Sequence, residues 1–413
     1  TYGDMIYYDV QHTSSSGFAP PAAYNFSLYK DQIDSLCNFA KKSNFEIIFG
    51  LNGGPSSRTD NQWNSENAAS LINYVIQTSC PIVGWELGNA PNLYPFNFNG
   101  YYLPAPILAV DFEKLRALIT KLYARVPQKP KIIGPDLSFQ YPVGEVLPEY
   151  MEEFMAVGGK FVDAITWHFY PLVSDGCATK ELEPWYATPF RLADPYVLDE
   201  ILKWSQKVVT YQQKHAPNVP LWIGETASAS CGGQEGVSDV FVSGMWYLDQ
   251  LGLMARNNHQ LSARQDLIGD FYGLLNSSTL FPNCDYWNTL IWQQAMGEIS
   301  LLAASNDVNT RAYAHCTPNT SNGTVSLVII NLNKEDIQVE LNLPTYFRSE
   351  YVMIADSLTA NTMSLNGNHL VVIDGIWPTI KPRQVVGPLP IMLPAHSYAI
   401  YVLPQAAAQA CKI

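Results

Sequence analysis

Apolar positions along this chain follow two different rhythms, and the change from one to the other divides the sequence. Up to about residue 304, short apolar runs alternate with longer stretches spaced like one face of a helix. Asn25 to Lys42 carries Leu28, Ile33, Leu36 and Phe39 near helical spacing, and Phe45 to Leu51 is a short apolar strand closing on Asn52-Gly53-Gly54. The pattern then predicts a helix over 64–78, a strand over 82–89, and a helix over 111–125 with Phe112, Leu115, Ile119 and Leu122 on one stripe. A strand at 131–134, a helix over 148–157 and a strand over 162–168 follow. Asp194-Pro195 reads as a helix start, with the helix running to about His215. Strand 221–225, helix 238–253 and strand 261–269 complete the series. Short strands alternating with longer helices predict a parallel sheet covered by helices. From about Ser305 the runs are short, alternating and without helices, which predicts a β-sandwich. The expected domains are thus 1–304 and 305–413.

Composition supports a large folded chain. At 413 residues it exceeds the roughly 250 to 300 that one hydrophobic core usually serves. Its 47% apolar and 15% charged residues describe a packed globular protein. Net charge is -13, with 24 Lys plus Arg against 37 acids, so no basic face is available to neutralise nucleic-acid phosphates. No apolar run approaches the ~20 residues of a bilayer span, so no membrane partner is expected. Four Asn-x-Ser/Thr sites (Asn25, Asn276, Asn319, Asn322) match the glycosylation pattern of secreted proteins. Cys37, Cys80, Cys177, Cys231, Cys284, Cys316 and Cys411 lack Cys-x-x-Cys spacing, so disulfides are expected over zinc, with one thiol left over. The scattered histidines give no metal site, and no cofactor is expected.

Two strand ends carry the chemistry. Gly84-Trp85-Glu86-Leu87-Gly88-Asn89-Ala90-Pro91-Asn92 is an apolar strand that stops in a Gly/Asn/Pro cluster and delivers Asn89 and Ala90 to a rim. Leu221-Trp222-Ile223-Gly224-Glu225-Thr226-Ala227-Ser228 places Glu225 at the end of another buried strand, followed by Cys231-Gly232-Gly233. Together these stretches resemble the fourth and nucleophile-bearing strands of the heparanase-like glycoside hydrolases. The resemblance covers nearly the whole chain. It implies a (β/α)8 barrel followed by a β-sandwich, with chemistry at the strand C-termini. Thr1 to Asp9 resembles the segment after the second barrel strand, so the first two strands are expected upstream or in a separate N-terminal segment that completes the barrel.

Glycoside hydrolysis uses two carboxyl groups, one protonating the leaving oxygen and one attacking the anomeric carbon or activating water. The resemblance assigns the nucleophile to Glu225 and the general acid/base glutamate to the position held here by Ala90. Glu86 lies four residues upstream, roughly 13 Å down a strand at about 3.3 Å per residue, and is expected to make barrel-interior hydrogen bonds. The chain therefore reads as an engineered substrate trap, favoured, or as a natural non-catalytic relative. The resemblance also implies substrate-binding roles for Asn89, His168, Tyr170, Gly232, Arg264, Gln265 and Tyr272, and a Cys316–Cys411 bridge. Ser230-Cys231 replaces a Tyr-Gly pair of the family, which puts the loop's amide geometry in doubt. Asn52 and Arg58 either line the cleft or only turn the chain.

For substrate, Leu137 to Phe154 contains no Lys or Arg and holds Glu145, Glu149, Glu152 and Glu153 where heparanase-type chains carry sulfate-gripping bases. Hyaluronan, with one carboxylate per disaccharide and no sulfate, fits such a surface better. The resemblance is closest to the leech-type hyaluronidases of the family. It implies a secreted, extracellular, retaining endo-β-glucuronidase that binds hyaluronan or a related glycosaminoglycan. The alternatives are a non-catalytic glycosaminoglycan binder and a heparan sulfate-cleaving enzyme.

Overall fold

The computed structural model describes residues 2–139, 148–177 and 185–412. Glu145 lies outside the described residues. The chain forms two compact units, Thr1–Phe169 with Gln206–Glu225, and Tyr170–Ser205 with Thr226–Ile413.

The first unit is built on a parallel sheet in which strands Leu221–Thr226, Ala164–Phe169, Lys131–Ser138, Ile82–Leu87 and Ile47–Leu51 lie side by side in that order. Registers such as Phe49 with Trp85 and Ile133 with Ala164 run in parallel, as the strand-helix alternation predicts. The result is a mixed α/β fold with a curled parallel sheet, and a sheet-rich C-terminal region follows. Helix Ala105–Leu122 begins earlier than the apolar stripe suggests, because Pro104 and Pro106 sit at its cap and first turn, where a missing N–H costs nothing. It packs against helix Pro148–Gly158 through Phe112 and Phe154, whose rings lie 5.2 Å apart.

Two expectations change. Phe26–Tyr29 is a strand paired in parallel with Ile6–Asp9, so the first helix starts only at Lys30. Its buried face is Ile33, Cys37 and Ala40, while Leu36 and Phe39 are exposed. Cys37 is bonded to Cys80, which fastens that face to the chain just before the Ile82–Leu87 strand.

In the second unit, Thr310–Cys316, Val325–Asn331, Ser397–Leu403 and Phe347–Ile354 form the centre of an antiparallel sheet. Every residue of Val325–Asn331 is buried, which requires cover on both faces. Leu327, Ile329, Tyr401 and Leu403 pack beneath the small Ile337–Val339/Ile391–Leu393 sheet. On the other face, helix Phe241–Arg256 lies over the sheet, with Phe241 stacked on Tyr398 at 4.7 Å. Helix Cys284–Ala295, absent from the sequence expectation, packs against helix Phe241–Arg256. Arg311 ties the layers by reaching Asp249 at 2.8 Å and Asp199 at 2.5 Å. Cys316–Cys411 is bonded, as is Cys177–Cys231, and Cys284 is a buried free thiol. No helix among the described residues is long and apolar enough to cross a membrane.

Candidate active site

The Ile82–Leu87 strand ends because Gly88 turns at φ 80°, and a Cβ there would sit 2.6 Å from the Tyr94 hydroxyl. Asn89 and Ala90 follow, with Ala90 in the left-handed region at φ 48° and ψ 57°, and Pro91 opens a short 3-10 turn. This turn is held from both sides. The buried Asp4 carboxylate accepts the Asn89 N–H at 3.0 Å and the Gly53 N–H at 2.9 Å, joining the ends of two neighbouring strands. Burial raises the Asp4 pKa, and those two N–H bonds oppose the shift. On the other side Asn92 exchanges two hydrogen bonds with Ser138 (2.8 and 3.0 Å), and the Ala90 N–H donates to Asp136 O at 3.0 Å.

Asp136 is itself a left-handed residue at φ 62°, and its N–H donates to Thr166 Oγ1 at 3.1 Å. Its Oδ1 lies 2.8 Å from His168 Nε2, an ion-pair separation whose alignment does not meet hydrogen-bond geometry. The other ring nitrogen, Nδ1, lies 3.9 Å from Glu225 Oε1. His168 is 2% exposed and the Glu225 side chain 26%, so a buried cation backs a carboxylate that reaches solvent. Burial alone would lower the His168 pKa, but Asp136, Glu225 and Glu86 outweigh it and hold the imidazole up at about 9.

Glu86 belongs to the same cluster. It keeps some accessible surface, yet burial and then the charge of Asp136 hold its carboxyl well above the usual range, with His168 opposing and Glu225 adding to the shift. The sequence reading set it apart from the strand-end chemistry. Asp4 and Asp136 were likewise missed, and what marks Asp136 is tertiary: a Cβ at Gly224, immediately before Glu225, would stand 2.5 Å from Asp136 Oδ1.

The remaining nominated residues lie in the second unit. Tyr170 and Tyr272 are buried with Ala227, their rings 6.5 Å apart. Gly232 has φ 89°, and its carbonyl accepts the Phe271 N–H at 2.8 Å. The loop carrying it is tied by Cys177–Cys231, and Ser174 Oγ donates to Cys231 O at 2.9 Å, so the Ser230-Cys231 departure gives a cross-linked loop. The Gln265 N–H donates to Thr226 O at 2.9 Å. The Arg264 side chain is 3% exposed, binds Asp285 Oδ2 through Nη2 at 2.6 Å, and lies over Trp246 and Tyr247. In the first unit, Asn52 and Arg58 tie their loop to other parts of the chain. Asn52 Nδ2 donates to Ile6 O at 3.0 Å, and Arg58 pairs with Asp111 at 2.7 Å.

Glu86, Asp136, His168 and Glu225 thus interact from four adjacent strands, with the His168 ring between the Asp136 and Glu225 carboxylates. Beside them stands a turn whose residue 90 offers only a methyl group.

Residues 5–252 match the family described as Glycosyl hydrolase family 79, N-terminal domain. The chain is similar to "Heparanase" of Gallus gallus, 31% identical over 402 residues, covering 94% of this chain and 73% of the relative. It is also similar to "Inactive heparanase-2" of Mus musculus, 29% identical over 411 residues, covering 94% and 66%. Among solved structures, a 4-O-alpha-L-rhamnosyl-beta-D-glucuronidase from Fusarium oxysporum shares the fold, with TM-score 0.68 and 17% identity over 98% of this chain and 86% of that one. On the family match and the heparanase similarity, the chain belongs to glycosyl hydrolase family 79, the heparanase-like glycoside hydrolases.

Proposed function

We propose that this chain carries the reaction site of a retaining endo-β-glucuronidase acting on hyaluronan, with Glu225 as nucleophile and Ala90 at the position of the missing acid/base glutamate. One observation carries the reading: the Ala90 turn is hydrogen-bonded to Asp136, whose carboxylate reaches His168, which in turn faces Glu225. In the parent reaction Glu225 attacks the anomeric carbon and forms a glycosyl ester, while a glutamate at 90 protonates the departing oxygen and later activates water. Without that carboxyl the leaving sugar hydroxyl must depart unprotonated. The chain then binds substrate and turns it over slowly. Asn89, Tyr170, Gly232, Arg264, Gln265 and Tyr272 keep the substrate-binding roles proposed for them, Arg264 acting through the residues it orders.

Hyaluronan is favoured over sulfated polymers by the net charge of -13 and by the absence of Lys and Arg from Leu137 to Phe154. Glu152 on that stretch is partly offset by Lys214 at 2.6 Å, whereas no ion pair of Glu149 or Glu153 accompanies it among the described residues. A second reading, a glycosaminoglycan binder that does not hydrolyse, is favoured by Ala90 itself. Ala90→Glu separates the two. The left-handed backbone at 90 already carries a Cβ, so glutamate adds no new backbone strain. We expect at least about a hundredfold gain in hyaluronan cleavage, the usual worth of a general acid. A folded variant that binds hyaluronan without cleaving it establishes the binder, and preferential cleavage of heparan sulfate overturns the choice of polymer.

A further inference from the structure

We propose that Asp136 is a positioning residue that sets both ends of the reaction site at once, its carboxylate holding His168 against Glu225 and its main chain holding the turn that carries residue 90. The inference rests on the reading of Glu225 as nucleophile, and it assigns a role to a residue that never meets the sugar.

The carbonyl, the carboxylate and the N–H of this aspartate are each engaged. Its carbonyl accepts the Ala90 N–H at 3.0 Å, and its Oδ1 stands 2.8 Å from His168 Nε2. The same oxygen fills the space where a side chain at 224 would begin, 2.5 Å from that virtual Cβ, so the residue preceding Glu225 must be glycine for the carboxylate to enter. The Asp136 N–H is fixed in turn by Thr166 Oγ1 at 3.1 Å. A left-handed backbone is uncommon at a non-glycine residue and persists where the surroundings support it. Here it lets one residue direct its carbonyl to one strand end and its carboxylate to another.

The charges that face His168 are Asp136 from the Lys131–Ser138 strand, Glu225 from the Leu221–Thr226 strand and Glu86 from the Ile82–Leu87 strand. Of these, Asp136 is nearest to the ring. With its carboxylate in place the imidazole stays cationic through neutral pH, and a fixed positive neighbour aims Glu225.

The test needs no variant to begin. In the chain as it stands, NMR titration of the His168 ring nitrogens is expected to show a cationic ring beyond pH 8, and a midpoint near the ordinary 6.5 overturns the proposal. Asp136→Asn keeps the shape and removes the charge. In it the His168 midpoint falls by more than one pH unit. Placed on Ala90→Glu, the same change lowers kcat on hyaluronan about tenfold to hundredfold, leaves KM within about twofold and moves the alkaline limb of the pH profile to lower pH. A folded D136N chain with an unmoved His168 midpoint and unmoved kcat overturns the proposal. If Ala90→Glu is inert on every polymer, the proposed function fails, while the His168 titration still decides the role of Asp136.

Discussion

At the scale of single residues, the site depends on what is missing as much as on what is present. Gly224 has no Cβ because Asp136 Oδ1 needs that space, with Thr166 Cβ also only 3.1 Å away. Gly224→Ala is therefore expected to lower stability by about 1 to 3 kcal/mol through overpacking. A urea titration measures this, and an unchanged midpoint would contradict the packing described. The place of Glu225 at the end of a strand was legible in the apolar run before it, while its role rests on the family resemblance. Asp136 was not legible. It follows Gly134-Pro135, which reads as the end of a strand, and the partners that engage it at a left-handed φ of 62°, Thr166, His168 and Ala90, come from other segments. Glu86 escaped for a different reason: distance measured along one strand says nothing about charges arriving from the next two.

At the scale of elements, the strand-helix alternation was legible wherever one face is apolar and the other polar. It failed where polar residues occupy the buried face. Helix Cys284–Ala295 buries Asp285 and Asn288 beside Trp287 and Ile291, which breaks the apolar stripe a reader looks for. Asp285 is buried because it anchors Arg264, and Asn288 because its Nδ2 donates to Gly244 O at 3.1 Å. Strand Thr310–Cys316 was hidden in the same way by Arg311 and His315, the first paired with Asp199 and Asp249, the second bound to Gly297 O at 2.6 Å. The prolines around Ala105 concealed a helix start, since Pro punctuates both a loop and a first helical turn. In each case the missing information was the tertiary partner, which no local window contains.

At the scale of the whole molecule, two buried histidines shape stability against pH in opposite directions. His168 is held up at about 9, above its ordinary 6.5, so the stability it contributes is complete below pH 6.5 and is lost as pH rises toward 9. His259 is pushed down by burial to about 4, so its contribution is complete above pH 6.5 and is lost as pH falls toward 4. Each swing is on the order of 3 kcal/mol. Urea midpoints from pH 4 to 9 should fall away on both sides, and His259→Gln should reduce the acid-side loss and leave the alkaline side unchanged, the buried His315, also lowered by desolvation, keeping part of the acid limb. An acid limb unchanged by that substitution would contradict the assignment.

The central claim is that Glu225 still attacks sugar while position 90 no longer serves as acid/base. The most direct test uses the chain unaltered, with a 2,4-dinitrophenyl β-glucuronide extended by N-acetylglucosamine on its non-reducing side, in the presence and absence of azide. Dinitrophenolate leaves without protonation, so Glu225 can form the glycosyl ester. Azide, entering where the glutamate would stand, then attacks the anomeric carbon, breaks the bond to Glu225 and returns its carboxylate. The account predicts that azide accelerates steady-state release of dinitrophenolate and that the product is the β-glycosyl azide, with Glu225→Gln abolishing both. No acceleration by azide, or a glycosyl azide of α configuration, would contradict it.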